Sequence, residues 1–180
     1  LDAAQAFASR SVDAARKQGQ RAELYKSLGR LAELALKRGE AAEAVTLYEE
    51  SLQVQRKSGT DNRAPAQTLT YLGHASLLAG NLAEADRWYV EAEAADGDGT
   101  SAPYLAMGRL AWALAGGDAV GVTQRWSACA ERISVWKAHQ THVLPATVCV
   151  LAAARHVPAA RALLPGLARA LVDNRYAIEA

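Results

Sequence analysis

Two stretches of this chain are copies of one pattern, set 41 residues apart without a gap. The first runs Leu28, Leu31, Ala32, Ala35, then Gly39, then Ala44, Tyr48, Ser51 and Leu52. The second runs Leu69, Leu72, Gly73, Ser76, then Gly80, then Ala85, Tyr89 and Ala92. Self-similarity at such a period is the mark of a repeat architecture, and it constrains the fold more than any single motif. In the first copy Leu28, Leu31 and Ala35 recur at i, i+3 and i+7, the spacing of one helical face. A glycine follows, free to take the left-handed backbone that ends a helix. A second helix then returns antiparallel. Ala32 and Ala44 are small where helix axes approach closely; Tyr48 is large and fills the wedge between neighbouring units. One such hairpin cannot cover its own apolar face, so hairpins must stack.

Composition agrees with helices. The 180 residues include 41 Ala, with Leu, Arg and Glu also common, against one Phe and two Ile. Ala, Leu, Arg and Glu lose least on entering a helix, and no stretch alternates Val, Ile and Thr as a half-buried strand does. The length suffices to fold without disulfides or metal. A net charge of +1 argues against direct nucleic-acid binding, which calls for a clear basic bias. Residues 1–100 hold 12 basic and 15 acidic side chains and residues 101–180 hold 8 and 4, a difference too small to name a partner. The excess of Arg over Lys, 15 to 5, and the abundance of Ala point by association to a GC-rich bacterial genome. Cys129 and Cys149 form no CxxC and read as small buried hydrophobes, a disulfide being the lesser reading. Neither a signal peptide nor an apolar run of about 18 residues is present, so no membrane span is expected and the cytoplasm is the expected compartment. The chain opens at Leu1 within a helical pattern, as a piece of something longer would.

The two copies resemble the tetratricopeptide repeat. That family carries a large residue, Leu, then Gly or Ala, then an aromatic or small residue in its first helix, a glycine, and Ala–x3–aromatic–x2–Ala in its second. Leu28, Leu31, Ala32, Gly39, Ala44, Tyr48 and Ser51 carry this in one unit, and Leu69, Leu72, Gly73, Gly80, Ala85, Tyr89 and Ala92 in the next. The family period is about 34 residues; a period near 40 implies longer helices, a variant of the same superfamily found in bacterial regulatory proteins. The resemblance implies an all-α, right-handed α–α superhelix of antiparallel helix pairs, one array over residues 1–180. It divides into a lone second helix at 2–18, repeats at 21–57 and 62–95, and degenerate repeats at 101–138 and 140–172. Pro65, Pro103 and Pro158 fall near helix starts, where a missing N–H costs nothing. Gly97–Ser101 is the clearest break in the array, though not read as a domain boundary.

Candidate chemistry is thin. His139 and His142 form HxxH, but a zinc site wants three or four ligands, and surface histidines are the preferred reading even with Cys149 two turns on. No Gly-rich elbow or oxyanion loop surrounds either cysteine. There is no P-loop and no GxGxxG; Gly97-Asp98-Gly99 is a turn; Asp96, Asp98 and Asp118 are too scattered for a calcium loop. Neither catalysis, a cofactor nor a metal is therefore expected. Trp126 stands where Tyr48 and Tyr89 stand, so it reads as core. Trp112 falls on the inward-curving side of its helix, where it either packs on a neighbour or anchors a partner.

The first helices of such arrays present their inward-curving face to ligands. On it lie Lys26, Arg30, Glu33 and Lys37, then Gln67, Thr70, Tyr71 and His74, then Arg109 and Trp112, then His142. This polar and aromatic mix suits an extended peptide or a partner helix. The relatives that grip acidic chaperone tails carry Lys and Asn in the first unit, Asn in the second, and Lys and Arg in the third. Here the places hold Gly29 and Glu33, Tyr71, and Leu105 and Arg109; only Arg109 fits, which rejects that subtype. The leading expectation is a protein- or peptide-binding scaffold within a larger bacterial regulatory protein. An effector-binding module and a self-associating, homodimeric domain are the alternatives.

Overall fold

Four glycines punctuate the chain. Gly19, Gly39, Gly80 and Gly117 have φ of 65°, 81°, 82° and 79°, the left-handed region in which a side chain is strained. Around Gly39 the glycine N–H donates to the Leu36 carbonyl at 3.0 Å and the Glu40 N–H donates to the Ala35 carbonyl at 2.9 Å. Around Gly80 the same two bonds run to Leu77 and Ser76, at 3.0 and 2.9 Å. These bonds satisfy carbonyls that the last helical turn leaves open, and they repeat at the spacing of the sequence pattern.

The computed structural model describes residues 2–58, 63–96, 102–118 and 120–127, with positions 158 and 161. Its helices are α1 (Asp2–Lys17), α2 (Arg21–Arg38), α3 (Ala41–Ser58), α4 (Arg63–Leu78), α5 (Leu82–Ala95) and α6 (Ala102–Ala115). Residues 120–127 are helical too, and there is no strand among the described residues. The chain divides into two compact units, Leu1–Ser101 and Ala102–Ala180.

In the first unit each helix packs on the next in chain order, α1 on α2, α2 on α3, α3 on α4 and α4 on α5. This is the all-α packing of a helical repeat solenoid, and the repeated residues are its core. Leu28, Ala32 and Ala35 of α2 and Ala44, Tyr48 and Leu52 of α3 are buried, as are Leu69 and Leu72 of α4 and Ala85, Tyr89 and Ala92 of α5. Each large side chain so buried contributes roughly 1.5–3 kcal/mol. Leu31 is only half-buried. The α4–α5 crossing is the tighter one, since a Cβ on Gly73 would run into the ring of Tyr89; its counterpart in α2 is Ala32. Asn81 starts α5 by accepting the Glu84 N–H at 3.2 Å, an N-cap. Alternate helices are joined by ion pairs: Arg16 of α1 meets Glu50 of α3 at 2.6 Å, and Arg56 of α3 meets Glu91 of α5. Glu50 and Glu91 are again 41 residues apart, so α1 stands to α3 as α3 stands to α5.

In the second unit Leu105, Leu110 and Ala113 of α6 are buried, as are Val122 and Trp126 of the following helix. Asp118 caps that helix, its Oδ1 accepting the Gly121 N–H at 2.7 Å. Trp126 is thus core, in the place of the two tyrosines. The expected repeat at 140–172, the end of the repeat at 101–138, both cysteines, His139 and His142 lie outside the described residues.

A candidate partner-binding face on α2 and α4

The α3–α4 cleft is filled by aromatic rings. Tyr48 of α3 stacks on Tyr71 of α4 with centroids 5.6 Å apart and planes inclined by 20°. Tyr71 meets His74 edge-on at 6.0 Å, and His74 meets Tyr89 of α5 edge-on at 5.7 Å. Contacts of this geometry add about 0.5–1.5 kcal/mol each beyond burial. The two outer rings, Tyr48 and Tyr89, are fully buried, while Tyr71 and His74 between them are half-exposed. Gln67, exposed one turn earlier, donates to the Tyr71 hydroxyl at 3.4 Å. The Tyr48 hydroxyl is buried without a hydrogen-bond partner. Burial, helped by the charge of Glu33 and by Tyr71, pushes its phenol far above the ordinary tyrosine range.

The α1–α2 cleft is open. Between the two helices lies a groove of about 350 Å³, mostly apolar, with Phe7, Ala8 and Leu34 among its lining and Arg30 and Glu33 also lining it. The face of α1 that lines it matches the face that α3 turns to α2, where Ser51 donates to the Tyr25 carbonyl at 2.9 Å. Ala8 lies 40 residues before Tyr48, while Arg30 and Glu33 lie 41 before Tyr71 and His74. The same offset of 40 pairs Ser11 with Ser51, Val12 with Leu52, and Arg16 with Arg56. A small residue and two charged ones therefore stand where the next cleft holds three rings. Sequence reasoning missed this groove; superposing the lone helix on α3 would have found it, because that places Ala8 at the tyrosine position.

The remaining residues expected on this face divide clearly. Lys26 and Lys37 are exposed, Lys26 reaching Glu23 at 3.2 Å. Thr70 is the exception. It is 1% exposed and its hydroxyl donates to the Ala66 carbonyl at 2.9 Å, so no partner reaches it. The reason is that α4 lies between α3 and α5, and its buried arc extends past Leu69 to Thr70. In the second unit Arg109 and Trp112 are half-buried. The guanidinium groups of Arg109 and Arg125 lie 5.8 and 5.6 Å from the Trp112 ring, within cation–π range. Arg125 was not expected there. His142 lies outside the described residues.

A family model described as tetratricopeptide repeat matches residues 20–98. The match opens just before α2 and closes just after α5, so it takes in both glycine-turned hairpins. Over residues 20–98 the chain is similar to the tetratricopeptide repeat family. No curated protein and no solved structure matches the chain. Tetratricopeptide repeats are a non-catalytic scaffold that generally mediates protein–protein interactions. Among the described residues no cluster of His, Cys, Asp and Glu is placed to hold a metal ion, and no helix is long and apolar enough to cross a membrane.

Proposed function

We propose that the repeats hold a partner protein or peptide on the face of α2 and α4 that carries Arg30, Glu33, Tyr71 and His74. We place this as the interaction part of a larger bacterial regulatory protein. The observation behind the reading is the half-exposed pair Tyr71 and His74, backed by the buried rings of Tyr48 and Tyr89. Aromatic anchors carry much of the energy of protein interfaces. Rings already fixed from behind lose less side-chain freedom on binding, which leaves more of the contact energy as affinity. Lys26, Lys37 and Gln67 supply a polar surround. The array's continuation to residue 172, with Arg109, Trp112 and His142 as further contacts, belongs to the same proposal and rests on the residue pattern.

The test uses the chain as bait in an extract of its own cells. A protein captured by the wild type should be lost by the triple variant Arg30→Ala, Glu33→Ala, Tyr71→Ala under conditions where circular dichroism shows the variant still folded. Equal capture by both would move the binding surface elsewhere. A second reading, an effector-binding module, is favoured by the α1–α2 groove, whose volume lies at the lower end of small-molecule sites. It expects a metabolite that raises the melting temperature in proportion to the logarithm of its concentration.

A further inference from the structure

We infer that Glu33, Tyr48 and Tyr71 form a notch for one basic side chain of the partner, a lysine ammonium or an arginine guanidinium. This rests on the partner-binding reading above and specifies what is bound. The notch lies over α3, between α2 and α4, both of which pack on it. Tyr71 of α4 is half-exposed and lies flat on Tyr48 of α3, with centroids 5.6 Å apart. Tyr48 is 1% exposed, and its buried hydroxyl has no hydrogen-bond partner. Glu33 of α2 is exposed, and its charge acts on that phenol. The position is open by its place in the repeat. The counterpart of Glu33 one unit on is His74, which stays half-exposed with α2 and α3 ahead of it and α5 behind.

Each group in the notch offers negative charge. An ionised carboxylate only accepts hydrogen bonds, and a phenol oxygen can accept one too. The face of a tyrosine ring is its negative side, and a cation within about 6 Å of the ring is drawn to it. The molecule seats guanidinium groups on rings elsewhere, Arg87 at 4.1 Å from the Trp88 centroid and Arg125 at 5.6 Å from that of Trp112. Among the described residues Glu33 is held by no ion pair or hydrogen bond, whereas Glu23, Glu50, Glu84 and Glu91 each have a basic partner. In the next unit the ring of His74 takes this corner against Tyr89. Here a carboxylate stands in its place, beside two stacked rings, and such a corner favours a positive side chain and rejects an acidic one. Arg30 and Lys37 lie about one turn to either side of Glu33 on the same helix. They narrow the choice, because a single basic residue between neutral neighbours fits and a run of basic residues is repelled.

The isotope-labelled 180-residue chain is titrated with end-blocked peptides of the form acetyl-Gly-Ser-X-Ser-Gly-amide, with Lys, Arg, Gln or Glu at X. Amide signals of Glu33, Tyr48 and Tyr71 report on the notch. The Lys or the Arg peptide should move them to saturation, the Gln peptide should bind about tenfold more weakly, and the Glu peptide should leave them in place. Glu33→Gln should weaken the basic peptide about fivefold. Glu43→Gln removes another exposed carboxylate that no described cation holds, and should change nothing. Tyr71→Leu should weaken binding about three- to thirtyfold, the span of a cation–ring contact. Tyr48→Phe keeps the ring, loses the hydroxyl and should weaken binding about two- to tenfold. Replacing both serines of the Lys peptide by lysine should weaken it, although generic attraction to carboxylates rewards the added charge. Silence at the notch, equal binding of the basic and Gln peptides, equal losses from Glu33→Gln and Glu43→Gln, or tighter binding of the lysine-flanked peptide would each overturn the proposal. A captured partner lost by the triple variant above but kept by Glu33→Gln would overturn the notch and uphold the broader face, so the two readings fail separately.

Discussion

The α1–α2 and α3–α4 clefts share a register and differ in what fills them. Both bring a second-type helix against a first-type helix that ends in a left-handed glycine, Gly39 or Gly80. In one, Tyr48, Tyr71 and His74 occupy the cleft; in the other Ala8, Arg30 and Glu33 stand at those places and leave a groove. The comparison separates two things that the repeat encodes. The backbone pattern of small residues and turn glycines sets the spacing of the helices. The wedge residue differs between the two clefts, Ala8 in one and Tyr48 in the other, while both first-type helices keep their turn glycine.

The largest expected effect comes from emptying the filled cleft. Tyr48→Ala should cost about 3–5 kcal/mol, as large-to-small changes of buried aromatics do, read from the urea midpoint. Phe7→Ala, beside the open cleft and 62% exposed, should stay within about 0.5 kcal/mol. Equal losses at the two would mean that the first cleft is packed in solution and the contrast is false. Next, Gly73→Ala should cost about 1–3 kcal/mol because the added methyl meets a buried ring with no room to retreat. A neutral result would show that the α4–α5 crossing can relax to the spacing that Ala32 imposes on α2–α3.

Tyr48→Phe sharpens the contrast from inside the ring. It removes a buried hydroxyl that has no partner, and it should raise stability by up to about 1 kcal/mol. The phenol is held protonated in the folded state well above its unfolded value of about 10. The stability it contributes is therefore complete below pH 10 and drains away as the pH rises above that, when the unfolded chain ionises first. The variant should lose less stability than the wild type between pH 10 and 12, measured by denaturation across that window. The smallest effect belongs to the ion pair between alternate helices: Glu91→Ala should cost about 0.2–1 kcal/mol and less in high salt, since both partners are half-exposed.

The repeat core was legible residue by residue because burial obeys the helical period: Leu28, Ala32, Tyr48, Leu72 and Tyr89 are buried as their spacing requires. The turns were legible too, since a glycine is the residue that the left-handed position selects. Thr70 was misplaced on the open face because a single-helix pattern says nothing about how wide an arc two neighbours cover. The groove went unseen for a different reason. It lies where α1 has Ala8 in place of a ring, and an alanine in a chain with 41 of them carries no signal until its helix is laid on α3. Arg125 beside Trp112 needed the turn at Gly117 to bring two helices together. Among the residues expected on the open face, Lys26, Lys37 and Gln67 are exposed as their spacing suggests, and Thr70 is not.

Packing in chain order carries a consequence for how such a molecule changes over evolutionary time. Each hairpin leans on the ones beside it, and the two ion pairs that skip a helix also repeat at the same interval. Copying or deleting one 41-residue module therefore disturbs a single seam and spares the rest. Reach becomes a quantity that gene duplication can adjust in steps of one hairpin.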